Sequence, residues 1–294
     1  MNLVAVLKQG SLVGGHEALV PWWSFTKVVI AAAVLKLSRA GAFDLDACVN
    51  RAPYTARQLL RHEAGLADYG ELAEYHQAVA RGVSPWSAQE FLERLDVNRL
   101  RYPPGEGWRY SNVGYFLLTQ LIVRVTGASL DRALKTVLAP HVSSEVFIAT
   151  SREQLREVQM GAGCYDPGWV LHGLLVGPLS EAAVFLDKLM AGQVVDRDRI
   201  GEMLSVRALP PIPGRPWLEP GYGLGVMHGV VEGGLVISGH TGVGPGSKIA
   251  VYNTSEAGTS VTCARFTDED GEAELERAVV ARLRGTLDEL RSVT

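Results

Sequence analysis

Ser24 and Lys27 stand three residues apart in the run Ser24-Phe25-Thr26-Lys27, at the start of a stretch with helical apolar spacing. On a helix that spacing puts both side chains on one face. A lysine amine there reaches the serine hydroxyl and removes its proton, provided burial lowers the lysine pKa. The helix N-terminus adds free N–H groups and a positive dipole end where an oxyanion would form. The same pattern also fits an N-capping serine with a solvated lysine one turn on. Tyr110-Ser111-Asn112 follows Pro103-Pro104-Gly105 and opens a second helical run. A phenol and an amide two residues apart can point into one cleft, the phenol to relay protons and the amide to orient. A loop tyrosine beside an N-capping Asn112 is the plainer alternative. His240-Thr241-Gly242 ends a β-rich run. Gly242 there leaves room for a ligand backbone, the Val243 N–H can face an oxyanion, and His240 is partly cationic near neutral pH. A hairpin with an exposed histidine is the alternative reading.

Other chemistries are absent from the text. No GxSxG, HExxH, P-loop or GxGxxG occurs, which argues against α/β-hydrolases, zincins, nucleoside triphosphatases and dinucleotide enzymes. The glycine-rich Gly239 to Gly246 lies between strand-like runs with no helix after it, so a turn explains it better than a phosphate loop. With 28 basic and 32 acidic residues in 294, the net charge is −4 and no cationic stripe favours nucleic acid. The 47% hydrophobic and 20% charged content excludes disorder. Cys48, Cys164 and Cys263 are odd in number and widely separated, which signals neither a disulfide framework nor a zinc site; three mostly buried thiols are expected. The N-terminal apolar run is too short for a signal h-region, and no stretch approaches the ~18 apolar residues of a membrane span. The chain as given is expected to be cytoplasmic, with no membrane partner.

The elements that must position these residues follow from periodicity. Leu3 to Leu7 and Ser11 to His16, either side of Gln9-Gly10, predict a hairpin. A helix is expected from about Phe25 to Arg39 with Gly41 past its end, and Thr55 to Ala139 is mostly helical. Asn112 to Thr126 keeps a helical spacing closed by Gly127. Ser180 to Ala191 predicts an amphipathic helix with Ser180 as N-cap. After Pro220, the runs Gly223 to Val231, Leu235 to Ser238, Ser247 to Thr254 and Thr259 to Thr267 predict an antiparallel meander, and Glu272 to Val293 a final helix. The proline-rich 208–221 segment reads as a rim. Residues 1–50 and 180–294 are expected to form a discontinuous sheet lobe and 51–179 a mainly helical lobe, with the site between them.

Taken in order, Ser-Lys, Tyr-Asn and His-Thr-Gly resemble the three motifs of the serine β-lactamase and penicillin-binding-protein superfamily, and within it the class C-like branch. The likeness extends to Leu37–Val49, to Tyr54–Leu66 with His62-Glu63-Ala64-Gly65-Leu66, to Pro104–Gly127 and to Gly221-Tyr222-Gly223-Leu224-Gly225. It implies an α+β fold, an antiparallel sheet flanked by helices plus a helical lobe. It also implies a serine hydrolase that forms an acyl-enzyme and needs no cofactor or metal. By that resemblance Ser24 is the nucleophile, Lys27 the general base and Tyr110 the proton relay. The Ser24 and Val243 N–H groups hold the oxyanion. Asn112 hydrogen-bonds Lys27 and the substrate, His240 tunes Tyr110 and any substrate carboxylate, and Thr241 and Gly242 belong to the oxyanion and substrate-binding set. His240 stands where most relatives carry lysine, which weakens the expectation of efficient β-lactamase action. A small ester or amide, D-aminoacyl compounds included, is the expected substrate, with a β-lactam or DD-peptide second. An acyltransferase or a silent ligand-binding member remains open. His62 reads as a packing or capping residue. Trp22, Trp23, Trp108 and Trp169 read as cleft walls or core, and Cys164–Gly173 as a substrate-side loop.

Overall fold

The computed structural model describes residues 1–161 and 165–292, so Cys164 and Val293 lie outside the described residues. The chain opens on a hairpin of β1 (Asn2–Lys8) and β2 (Ser11–Gly14). Its turn residues Gln9 and Gly10 both have positive φ, 48° and 80°, as a tight hairpin needs. A short β3 (Leu19–Pro21) and a 3-10 turn at Trp23–Phe25 lead into α1 (Thr26–Arg39). The middle carries α2 (Ala56–Leu60), α3 (Ala73–Ala80), α4 (Ala88–Arg94), α5 (Asn112–Thr126) and α6 (Leu130–Val137). Then come β4 (Phe147–Ala149), β5 (Leu174–Pro178), α7 (Leu179–Met190) and α8 (Arg197–Leu204). The C-terminal part adds β6 (Arg207–Ala208), β7 (Trp217–Tyr222), β8 (Met227–Val231), β9 (Val236–Gly244), β10 (Ser247–Glu256), β11 (Thr259–Thr267) and α9 (Glu272–Arg291).

Eight described strands make one antiparallel sheet in the order β2-β1-β11-β10-β9-β8-β7-β6. Both chain ends meet in it, because β1 pairs with β11 in the register Ala5↔Ala264 and Val6↔Cys263. Side chains alternate across a strand, so each central strand feeds two cores. Val6, Cys263 and Tyr252 pack under α9 with Leu275, Val279 and Leu283. Ala5, Ala264 and Val251 face the other way, into the core that holds α1 and α7. The apolar face of α1 runs all the way round: Val28 to Leu35 are wholly buried, between the sheet and the helical middle. No single described helix is long and apolar enough to cross a membrane.

Four details differ from the sequence reading. A three-stranded sheet, β3-β5-β4, was not expected: β4 and β5 interrupt the stretch read as mainly helical, and β3, from the N-terminal part, pairs with β5 there. Ser180 falls inside α7 rather than capping it; Pro178 occupies the cap position, and the buried Ser180 hydroxyl donates to Glu17 at 3.0 Å. The strand expected at Leu235–Ser238 runs on to Gly244, so His240-Thr241-Gly242 lies within β9. Of the two described thiols, Cys263 is buried but Cys48 is exposed.

Candidate active site

Ser24 sits in the 3-10 turn that feeds α1, closed by Phe25 N–H donating to Trp22 O at 2.8 Å. The preceding residue, Trp23, has φ +42°, a left-handed conformation that costs a bulky side chain energy. Its surroundings hold it there. The indole Nε1 donates to Ser247 Oγ at 3.1 Å, and the ring lies so close to Gly244 that a Cβ on that residue would come within 2.4 Å of it. Gly242 admits the backbone of the same turn: a Cβ there would sit 2.8 Å from both Ser24 N and Trp22 O. The space expected for a ligand backbone at Gly242 is therefore filled by the Ser24 turn itself. Val243, half exposed, stands beside Ser24 at the mouth of the cleft.

One turn past Ser24, as the second residue of α1, Lys27 is wholly buried, and its Nζ has three neighbours. They are Ser24 Oγ at 3.1 Å, Asn112 Oδ1 at 2.7 Å and His172 Nε2 at 3.2 Å. Burial lowers the Lys27 pKa to about 7, with the nearby Asp68 carboxylate opposing the shift. The amine form is thus well populated near neutral pH. Ser24 Oγ also accepts from Tyr110 OH at 2.8 Å. Desolvation raises the Tyr110 pKa well above its ordinary value, so this phenol rests protonated.

Tyr110 and Asn112 reach one site because Ser111 between them is extended (φ −144°, ψ 117°), which sends alternate side chains the same way. Ser111, not Asn112, caps α5: its Oγ accepts from Gly114 N and donates to Ala67 O. Asn112 is thereby free to face Lys27. Asp68 orients it, accepting from Asn112 N at 2.6 Å and from Asn112 Nδ2 at 3.2 Å, which turns Oδ1 toward the lysine. His62 fixes the same loop, taking the Ser111 N–H on Nδ1 at 3.1 Å, with its ring 4.4 Å from that of Tyr110. Its reading as a packing residue agrees with this; what it packs is the loop that carries Tyr110 and Asn112.

His240 is buried on β9, with Nε2 3.1 Å from Tyr222 OH and Nδ1 against Thr241 O. Desolvation, with the Lys27 charge adding to it, lowers its pKa to about 3. The partial cation expected at neutral pH is absent, because burial removes the water that would stabilise it. Thr241 Oγ1 donates to Glu272 Oε1 at 3.0 Å. The cation that does reach this wall is Arg215, which bonds Glu276 through Nε at 2.7 Å and pairs with Glu272 at 3.1 Å.

Two spaces open on Ser24. A cleft of about 400 Å³ is lined by Tyr110, His240, Thr241 and Arg215 and by apolar groups such as Trp108 and Ile212. A recess of about 130 Å³ on the other side is walled by Tyr69, Tyr75 and Tyr165. Of the tryptophans, Trp108 faces the cleft and Trp23 the recess, whereas Trp22 and Trp169 are core. Asp68, His172, Arg215 and Glu272 were not singled out by the sequence reading. They approach the motifs from far along the chain, with no characteristic spacing to mark them.

A family model described as Beta-lactamase matches residues 3–283. The chain belongs to the Beta-lactamase family. Its fold is the α+β fold of β-lactamases and transpeptidases. It is similar to "Penicillin-binding protein 4*" of Bacillus subtilis (strain 168), 30% identical over 128 residues, covering 38% of this chain and 26% of that one. "Esterase EstB" of Burkholderia gladioli is 30% identical over 136 residues, covering 40% and 34%. The chain thus spans roughly a quarter to a third of the length of these curated relatives. Among solved structures, the D-amino acid amidase of Ochrobactrum anthropi SV3 superposes with a TM-score of 0.77 over 98% of this chain and 95% of that one, at 22% identity. That likeness is one of fold.

Proposed function

We propose that the protein is a serine hydrolase that works through an acyl-enzyme on a small ester or amide, D-aminoacyl compounds included. The observation that carries this reading is Ser24 Oγ held between an amine of pKa about 7 and a protonated phenol, at 3.1 and 2.8 Å, on the floor of a cleft. Ser24 attacks the carbonyl carbon while Lys27 takes its proton, and the N–H groups of Ser24 and Val243 receive the oxyanion. As the tetrahedral species collapses, Tyr110 gives its proton to the leaving oxygen or nitrogen. The phenolate forms only while Lys27 is an ammonium, whose Nζ lies 5.0 Å from the centre of the tyrosine ring. It then takes a proton from the water that attacks the acyl-enzyme, and Lys27 returns its proton to Ser24. Atoms and charge balance over the cycle.

The charges on the cleft wall favour a neutral leaving group. One guanidinium, Arg215, faces two carboxylates, Glu272 and Glu276; His240 is neutral; and the Thr241 hydroxyl donates to Glu272. Among the described residues that line this cleft, no cation is left over to neutralise a substrate carboxylate, which ranks β-lactams and DD-peptides below neutral esters and amides. Tyr110 lines the larger cleft, so the leaving group belongs there and the acyl group in the 130 Å³ recess. The test is kcat/KM for matched esters that vary in acyl length and in leaving-group charge. Acetyl esters of neutral alcohols should exceed octanoyl esters, and should exceed acetyl esters of carboxylate-bearing alcohols several-fold. Faster turnover of the carboxylate-bearing member would overturn the substrate assignment.

A further inference from the structure

We propose that His172 is a positioning residue that aims the lone pair of Lys27 at Ser24. This rests on the reading of Ser24 as nucleophile and Lys27 as base. A neutral lysine amine carries two hydrogens and one lone pair. Around Nζ there are two side-chain acceptors apart from the serine, Asn112 Oδ1 at 2.7 Å and His172 Nε2 at 3.2 Å. When both take a hydrogen, the remaining direction is the lone pair, and the remaining neighbour is Ser24 Oγ at 3.1 Å. With Asn112 alone the amine rotates about its Cε–Nζ bond, and its lone pair points at Ser24 only part of the time. The same arrangement serves after proton transfer, since the ammonium has three hydrogens and three acceptors. No group need turn during the step, which is what preorganisation requires.

The histidine is built for that task. It is buried, and desolvation with the Lys27 charge holds its pKa well below the ordinary value, so it stays an uncharged acceptor. For Nε2 to accept, Nδ1 must carry the hydrogen, and Nδ1 is buried with no hydrogen-bond partner. Such an orphan loses its hydration without recovering a hydrogen bond, and packing alone gives no reason to keep it. The strand that follows it is tied to the Ser24 turn through both backbone groups of Leu175. Trp22 N donates to Leu175 O at 2.8 Å and Leu175 N donates to Thr26 Oγ1 at 3.2 Å, so the start of β5 moves with the turn. Gly173, at φ +89°, makes the tight bend that turns His172 inward.

The experiment compares His172→Phe, which keeps an aromatic ring but has no acceptor, with His172→Gln, whose carbonyl can reach the Nε2 position. Two rates are followed across pH: fluorophosphonate labelling of Ser24, read by intact mass with peptide mapping, and kcat/KM for p-nitrophenyl acetate. In the Phe variant both plateaus should fall by about tenfold to a hundredfold. The acid limb should also move to lower pH, because the ammonium loses one acceptor while the amine loses less. A merely loosened site would admit water and move that limb the other way. The Gln variant should return to within about threefold of the wild type. Should the Phe variant fail to fold, His172→Met, adaptable and without a strong acceptor, takes its place. Wild-type rates and limb in the apolar variant, or a Gln variant no better than it, would overturn the proposal. Wild-type protein that is never labelled at Ser24 would instead overturn the nucleophile assignment beneath it.

Discussion

A lysine amine is a useful base only when it has lost its proton, and burial lets Lys27 do so at a pKa of about 7, far below that of an exposed lysine. The sign of the pH dependence follows: below pH 7 the ammonium dominates, so kcat/KM should rise close to tenfold per unit and level off above about 7. A flat profile from pH 5 to 8 would contradict Lys27 as the base. His240, with a pKa near 3, contributes no second limb in that range. Tyr110→Phe removes the proton donor while keeping the ring, and should slow turnover roughly 10²-fold; unchanged rates in steady-state assays would exclude the phenol from the mechanism. At this scale the motif residues were legible because their spacing is local: Ser24 to Lys27 on one helix face, Tyr110 to Asn112 across one extended residue. Charge state was not. Burial decides it, and nothing in the Ser238–Val243 text says that β9 runs beneath a wall of aromatic rings. Asp68 and His172 were equally hidden, since they meet Asn112 and Lys27 from 44 and 145 positions away.

At the scale of elements, the site depends on how closely β9 passes the Ser24 turn. Gly242→Ala would put a methyl 2.7 Å from Trp23 Cβ and 2.8 Å from Ser24 N, so strand or turn must shift. We expect a loss of about 1–3 kcal/mol in chemical denaturation and at least tenfold in kcat/KM. A variant with wild-type activity would show that the approach has no mechanistic weight. The long amphipathic helices and the C-terminal meander were readable from their periods of 3.6 and 2. The three-stranded β3-β5-β4 sheet was not, because strands of three to five residues offer too few positions to show alternation. The Ser180 cap failed for a related reason. Serine is a common N-cap, but Pro178 already stops β5 and presets the turn, so α7 begins before the serine.

At the scale of the molecule, α9 and the cleft wall are joined through one buried carboxylate. Glu276, fully buried, takes the Arg215 guanidinium, Trp217 Nε1 at 3.1 Å and Tyr252 OH at 2.7 Å. Glu276→Leu leaves a mostly buried guanidinium with the partly exposed Glu272 as its remaining carboxylate among the described residues, and should cost about 3 kcal/mol in urea unfolding. Adding Arg215→Met should recover much of that loss; no recovery would mean that the network is not the cause. The architecture brings together three distant stretches: Ser24 and Lys27 come from the turn that feeds α1 and from its first residues, Tyr110 and Asn112 from the entry to α5, and His240 to Val243 from β9. The central claim is that these three places form one acylating centre on Ser24. Rapid-quench mass spectrometry during p-nitrophenyl acetate turnover tests it most directly. The account predicts an acetyl group on the peptide that contains Ser24, formed within the burst of p-nitrophenol release and absent in Ser24→Ala. Turnover without acylation, or an acyl group mapped to any other residue, would contradict it.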